Sequence, residues 1–243
     1  MTNASRLYQE RLRLLQDEVT LYPVACERLA AGRDDRQWLD AVLAGGARIV
    51  QLRDKDAPDR VLYEKACYFR EKTRTAGALF MINDRVDIAL MTGADGVHLG
   101  QQDLPAAEVR RLAPECLIGV SCNSLAQAEA LGRLAATPDC PVSYFNIGPL
   151  FPTTTKSGLD SFLGIEAIGS FSARCPLPFT VMGGITLAHV PALVAAGARR
   201  IAVVTAISQA PDMQAAARRW ITEINTQRTQ DSGTRTAAGR RAG

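Results

Sequence analysis

Phe145-Asn-Ile-Gly-Pro-Leu-Phe-Pro-Thr-Thr-Thr-Lys-Ser-Gly-Leu-Asp160 begins as a buried strand and is broken by Gly148-Pro149 and Pro152. It then sets three hydroxyls and a lysine in a row before helical periodicity returns near Phe162. A hydrophobic core has no use for that run. Thr153, Thr154, Thr155 and Lys156 offer several donors and one fixed positive charge, which suits an anionic ligand such as a phosphate ester. Alone, a threonine-rich loop would pass as a solvated connector. It gains meaning because other strand ends carry similar chemistry.

On either side of this stretch, short apolar runs alternate with helical segments. The runs Leu21 to Ala25, Ile49 to Leu52, Leu79 to Ile82, Gly96 to Leu99, Leu117 to Val120, Val142 to Ile147, Phe179 to Met182 and Arg200 to Val204 read as strands. Between them lie helices punctuated by the expected residues: Gly45-Gly46 closes one, Pro58 opens the next, and Ser124 caps another. Eight strands of four to six residues, each followed by a helix, are what a closed parallel barrel requires, because every parallel crossover consumes a helix. An open doubly wound sheet usually carries a GxGxxG turn, which this chain lacks. The fold class is therefore α/β, a (β/α)8 TIM barrel in a single domain over residues 20–224. A short N-terminal helical extension (residues 1–19) precedes it. From Asn225 to residue 243 periodicity is lost, and the segment reads as a disordered tail.

In such a barrel the ligand site lies at the C-terminal ends of the strands. Strand two ends in Gln51-Leu52-Arg53-Asp54-Lys55, with Arg53 and Lys55 on one side by alternation. Strand three ends in Asn83-Asp84, strand four is followed by Gln101-Gln102-Asp103, and strand five delivers Ser121. Strand seven ends in Gly183-Gly184 and strand eight in Val204-Thr205. Asp84 and Asp103 beside Arg53, Lys55 and Lys156 fit a magnesium ion shared with a diphosphate, since magnesium takes hard oxygens and keeps substrate oxygens in its shell. Backbone N–H groups after strands seven and eight suit a second, monophosphate group. His98 lies within an apolar run and reads as a hydrogen-bonded core or rim residue, and His189 carries no chemistry. No Ser-His-Asp or Cys-His order points to a covalent nucleophile.

Composition narrows the partners. The formal charge of +3 is supplied by Arg228, Arg235, Arg240 and Arg241, less Asp231, so the body of the chain is close to neutral. That argues against a nucleic-acid or membrane surface. The six cysteines have no CxxC pair, which suggests free thiols in a reducing cytoplasm. The N-terminus lacks the apolar centre of a signal peptide and no apolar run is long enough to span a bilayer, so a cytoplasmic protein with small-molecule substrates is expected. A homo-oligomer is left open.

The strings Gln-Leu-Arg-Asp-Lys, Ile-Asn-Asp-Arg-Val-Asp-Ile-Ala, Gly-Ala-Asp-Gly-Val-His-Leu-Gly-Gln-Gln-Asp-Leu, Ile-Gly-Val-Ser, Gly-Pro-Leu-Phe-Pro-Thr-Thr-Thr-Lys and Gly-Gly-Ile with Val-Val-Thr-Ala-Ile-Ser resemble the thiamine phosphate synthase family, in order from about Leu21 to Trp220. The resemblance implies a magnesium-dependent transferase that joins hydroxymethylpyrimidine diphosphate to a thiazole phosphate, or its carboxylated form, with loss of pyrophosphate. It implies that Gln51, Leu52, Arg53, Asp54, Lys55, Asn83, Ser121 and Lys156 hold the pyrimidine diphosphate, with Arg53, Lys55, Ser121 and Lys156 catalytic. It also implies that Asp84 and Asp103 bind Mg2+, and that Thr153, Thr154, Thr155, Gly184, Val204 and Thr205 hold the thiazole phosphate. Thr205 replaces a common serine, Asn123 stands where histidine is frequent, and Asn146 and Met182 replace residues that are usually smaller or apolar. Two rivals share the barrel: a thiazole tautomerase-like isomerase, which depends on a histidine after strand five, and a non-catalytic ligand-binding barrel.

Overall fold

The computed structural model describes residues 2–153 and 161–239, with side chains as far as Asp231. Eight parallel strands close on themselves in sequence order: β1 (Leu21–Ala25), β2 (Ile49–Leu52), β3 (Leu79–Asn83), β4 (Gly96–Leu99), β5 (Leu117–Cys122), β6 (Tyr144–Ile147), β7 (Phe179–Val181) and β8 (Ile201–Val203). β8 returns to β1 with Leu21, Tyr22 and Pro23 opposite Ile201, Ala202 and Val203. The helices are α1 (Asn3–Asp17), α2 (Asp35–Ala44), α3 (Asp59–Ala76), α4 (Val86–Thr92), α5 (Ala106–Leu112), α6 (Leu125–Ala135), α7 (Glu166–Ser172), α8 (Val190–Ala195), α9 (Thr205–Ser208) and α10 (Met213–Gly239). The sixth strand starts two residues later than the apolar run suggests. Ser143 there accepts the Ile118 N–H on its own hydroxyl (2.9 Å), so a side chain replaces a ladder carbonyl.

Strand alternation sorts the interior into two cores. Leu21, Ala25, Val50, Leu52, Phe80, Ile82, Val97, Leu99, Phe145, Ile147 and Val181 join the helices in an outer layer. Tyr22, Val24, Ile49, Leu79, Met81, Leu117, Tyr144 and Ala202 fill the barrel itself. This inner core includes Leu15 and Val19, with Tyr8, Leu12 and Leu14 of α1 against it.

The N-terminal extension is thus a plug for the barrel floor. Its anchors all sit at the N-terminal ends of strands. Arg200 donates to the carbonyls of Leu15 (2.8 Å) and Gln16 (3.0 Å), where a helix end leaves carbonyls without intrahelical partners. Arg11 pairs with buried Asp95 at 3.0 Å, and Arg48 with Glu18 at 2.6 Å. At the other terminus, the reading of a structureless tail from Asn225 is corrected in part, because α10 continues to Gly239. That stretch carries no proline to stop a helix, yet nothing between Asn225 and Asp231 is buried. The lost periodicity therefore shows as lost burial.

Candidate active site

The segment Gln51 to Lys55 divides by parity. Gln51 points into the barrel, buried, with its Nε2 donating to Tyr22 Oη at 2.9 Å. Arg53 leans across the end of β1, its Nη1 lying 3.7 Å from Cys26 Sγ. Lys55 Nζ reaches Asp84 Oδ2 at 2.8 Å. The even residues face away. Leu52 is buried in the outer core, and Asp54 Oδ2 accepts from Lys65 Nζ at 2.7 Å while Oδ1 accepts the Ala57 N–H at 3.1 Å. The side chains of Leu52 and Asp54, both expected to touch substrate, are thus committed to the fold.

Asp84 occupies the left-handed backbone region at φ 61°, rare for a residue with a side chain, which turns its carboxylate onto the rim. Its N–H is held by the His98 carbonyl at 2.9 Å. Burial pushes the Asp84 pKa above the usual carboxylate range and the adjoining Asp103 carboxyl adds to this, against the opposing pull of Lys55. Asp103 is fixed in turn by the Gly100 N–H on its Oδ2 at 2.5 Å. Two crowded carboxylates served by one ammonium are a set of hard oxygens that a divalent cation would relieve. Two protein ligands leave coordination positions for water and phosphate oxygens, as magnesium prefers. The residues therefore fit the metal. The other acidic group among the described residues, Glu27, Asp35 and Asp54, already encloses the Lys65 ammonium.

On the opposite side of the rim, the loop after β6 rests on the loop after β7. Leu150 N donates to Met182 O at 2.9 Å and Phe151 N to Gly183 O at 3.0 Å. Gly183 and Gly184 have φ of 104° and 62°. A β-carbon on Gly184 would collide with the carbonyl of Pro152 and lie 2.8 Å from that of Phe151, so only glycine lets the two loops touch. Thr153 closes the described part of this loop; Thr154, Thr155 and Lys156 lie outside the described residues. Val204 precedes the short helix α9, which begins at Thr205. Asn123, in the place where histidine is frequent, donates from Nδ2 to the Gly148 carbonyl at 2.5 Å and so tethers the start of the threonine loop. Asn146 accepts from Thr180 Oγ1 at 2.9 Å, inside the barrel.

Sequence reasoning missed Tyr22 and Tyr144. They sit beneath Gln51 and Ser121, joined by hydroxyls 2.9 Å apart. Their alternation with outward-facing neighbours was a readable sign that they point inward, but not that they meet.

The sequence profile described as thiamine monophosphate synthase matches residues 21–207, well over half of the chain. A thiamine-phosphate synthase of Chloroflexus aurantiacus is 41% identical over 198 residues, covering 82% of this chain and 89% of the relative. One of Methanoculleus marisnigri is 42% identical over 199 residues, covering 82% and 92%. The chain belongs to the thiamine monophosphate synthase family. The solved thiamine phosphate pyrophosphorylase of Pyrococcus furiosus superposes with a TM-score of 0.78 at 30% identity, covering 88% of this chain and 98% of that one. The activity is accordingly that of a transferase, thiamine-phosphate synthase, and the isomerase alternative is not favoured. The matched span excludes α1 and α10, so the floor plug lies outside what the family profile describes.

Proposed function

We propose that this rim, in a catalytic unit spanning residues 20–224, joins 4-amino-2-methyl-5-hydroxymethylpyrimidine diphosphate to thiazole phosphate or its carboxylated form. The observation that carries the residue assignment is the Lys55–Asp84 pair with Asp103 against it, facing the end of the barrel where Gln51 and Ser121 emerge. Gln51, Asn83 and Ser121 orient the pyrimidine. The electron-rich ring supports departure of pyrophosphate: the exocyclic C–O bond breaks with its electron pair going to the leaving oxygen, and the thiazole nitrogen supplies the pair for the new C–N bond. With the carboxylated thiazole, carbon dioxide leaves as well.

Arg53 and Lys55, with Lys156 from the family resemblance, meet the negative charge that builds on the leaving group. Mg2+ held by Asp84 and Asp103 would supply further charge neutralisation on the diphosphate. Thr153, Thr154, Thr155, the Gly184 N–H and the backbone at Val204 and Thr205 hold the thiazole phosphate. The thiazole nitrogen needs no general base, in keeping with a half-buried His98 whose ring is already engaged by Tyr144 and Ser121. Free cysteines support a reducing, cytoplasmic setting, and the near-neutral barrel supports small molecules as partners in place of nucleic acid or membrane. No helix among the described residues is long and apolar enough to cross a membrane.

Pyrophosphate release from the two substrates tests the reading, with the metal titrated in. Asp84→Ala and Asp103→Ala are each expected to abolish metal-dependent turnover while the protein stays folded. Wild-type turnover in either variant would remove the metal assignment. Interconversion of thiazole isomers without pyrophosphate release would replace the transferase with the isomerase.

A further inference from the structure

Five polar side chains cross the barrel interior in one continuous line. Gln51 Nε2 meets Tyr22 Oη at 2.9 Å, Tyr22 Oη meets Tyr144 Oη at 2.9 Å, Tyr144 Oη meets His98 Nδ1 at 3.1 Å, and His98 Nε2 meets Ser121 Oγ at 3.0 Å. Tyr22 is 2% exposed and Tyr144 0%, so water does not complete their hydrogen bonding. Beneath them the apolar residues of α1 seal the floor. The space for the central contact is provided by Gly119, where a β-carbon would lie 2.5 Å from Tyr144 Oη and 2.6 Å from His98 Nδ1.

The protons in this line can run in only one direction without loss. The Gln51 NH2 group can donate but not accept, so Tyr22 Oη receives a proton at the head of the line. Tyr22 must then pass its own proton to Tyr144, because in the reverse arrangement it would accept twice and leave its hydroxyl hydrogen buried without a partner, at a cost of about 1–3 kcal/mol. Tyr144 in turn donates to His98 Nδ1. An Nδ1 that accepts this bond leaves the ring its single proton on Nε2, which lies 3.0 Å from Ser121 Oγ. That proton goes to Ser121 Oγ.

We propose that Tyr22, Tyr144 and His98 are positioning residues that impose a donor sense on Ser121 and an acceptor sense on Gln51. With His98 donating to its oxygen, the Ser121 hydroxyl keeps its hydrogen for the ligand. With its NH2 group engaged below, Gln51 offers Oε1. An acceptor on one side of the barrel and a donor on the other match an aminopyrimidine, whose amine donates and whose ring nitrogens accept. The inference rests on the pyrimidine-site reading above and adds to it the source of the recognition pattern. A heterocycle carrying a carbonyl in place of the amine would set acceptor against acceptor at Gln51.

The tautomer is tested on wild-type protein without substrates by 15N NMR of the histidine rings, with His98 distinguished from His189 by a His189→Gln variant. The expected spectrum shows His98 with Nε2 protonated and Nδ1 bare at neutral pH. A proton on Nδ1 at that pH would overturn the proposal whether or not the pyrimidine reading stands. Kinetics then test the consequence. Tyr144→Phe and His98→Leu are expected to raise KM for the pyrimidine diphosphate about tenfold or more, with KM for the thiazole phosphate within threefold of wild type. His98→Gln, whose amide keeps a donor for Ser121, is expected to recover most of the loss. Equal impairment of the Leu and Gln variants, or equal shifts in both KM values, would reduce the line to a structural role.

Discussion

Gly184→Ala separates the two loops of the thiazole-phosphate side by the smallest possible change. The residue sits at φ 62°, where a β-carbon costs roughly 1–2 kcal/mol from backbone strain alone. That carbon would also strike the Pro152 carbonyl and come within 2.8 Å of Phe151 O and 2.9 Å of Phe151 C. These are backbone atoms that cannot rotate aside, so a further ~1–3 kcal/mol of overpacking follows unless the threonine loop lifts. The two terms together are about 2–5 kcal/mol. If the loop stays, the whole amount falls on stability, a drop in Tm of about 4–20 °C at roughly 2–4 °C per kcal/mol. If the loop lifts, Thr153 moves away from the phosphate, and the overpacking share appears instead as a KM for thiazole phosphate raised roughly fivefold to 140-fold, at about 1.4 kcal/mol per tenfold.

Next to the added carbon the loops are joined by the Phe151 N–Gly183 O bond, a neutral hydrogen bond worth about 0.5–1.5 kcal/mol, which is cheaper to break than the steric overlap is to tolerate, so the second outcome is expected. Steady-state kinetics with each substrate varied in turn, together with calorimetric Tm, measure both. Gly93→Ala is the control: its φ of 65° is nearly the same, but nothing lies within 4 Å of the added carbon. It should lose about 1–2 kcal/mol of stability and no affinity. Gly184→Ala behaving like Gly93→Ala in both measurements would refute the claim that contact between the loops shapes the phosphate side.

The floor plug predicts that Arg200→Met, which keeps the stem and removes the donors to Leu15 O and Gln16 O, costs about 3–6 kcal/mol, because charged hydrogen bonds are worth ~1.5–3 each. Thermal unfolding should then shift down by roughly 10 °C or more, and a change under about 2 °C, equivalent to about 0.5–1 kcal/mol, would mean that α1 is held by its apolar face alone. Asp35 gives a pH test. Burial lifts its pKa from 3.8 to about 6 despite Lys65, and its Oδ1 has no hydrogen-bond partner among the described residues. A carboxyl raised in the folded state takes up a proton on folding, so its ionisation penalty is absent below pH 3.8, grows through the interval to about 6 and is complete above it. The penalty is about 3 kcal/mol at 1.36 kcal/mol per pKa unit. Asp35→Asn should therefore raise Tm at pH 8 and have little effect at pH 4, with Lys65 still held by Glu27 and Asp54; the same Tm difference at both values would contradict the assignment.

The barrel was legible because parallel strands buried on both faces appear as short, nearly continuous apolar runs, and their punctuation by Gly, Pro and Ser fixes where helices start and stop. Asp84 and Asp103 were legible as a pair because two different strand ends delivered carboxylates to one rim. The floor plug was not. The face of α1 buries only Leu15 fully, and its strongest anchors are ionic or carbonyl contacts from Arg200, Asp95 and Arg48, distant in sequence and without any periodic trace. Tyr22 and Tyr144 were hidden for the same reason, since a hydroxyl pair 122 positions apart leaves no pattern in either strand.

In the segment Gln51 to Lys55, alternation adds a distinction that the shared string does not carry. The family resemblance assigns all five residues to substrate, whereas the period of two places Gln51, Arg53 and Lys55 on one side and Leu52 and Asp54 on the other. The structure follows the period. Asp54 joins Glu27 and Asp35 around Lys65, behind the rim, so the ammonium of a helix residue braces the very turn whose front carries Arg53 and Lys55. Lys65 holds the back of the turn through Asp54, while on the front Lys55 pairs only with the rim carboxylate of Asp84. Substitution on the back should therefore first disturb the shape of the turn, and affect ligand binding only through it.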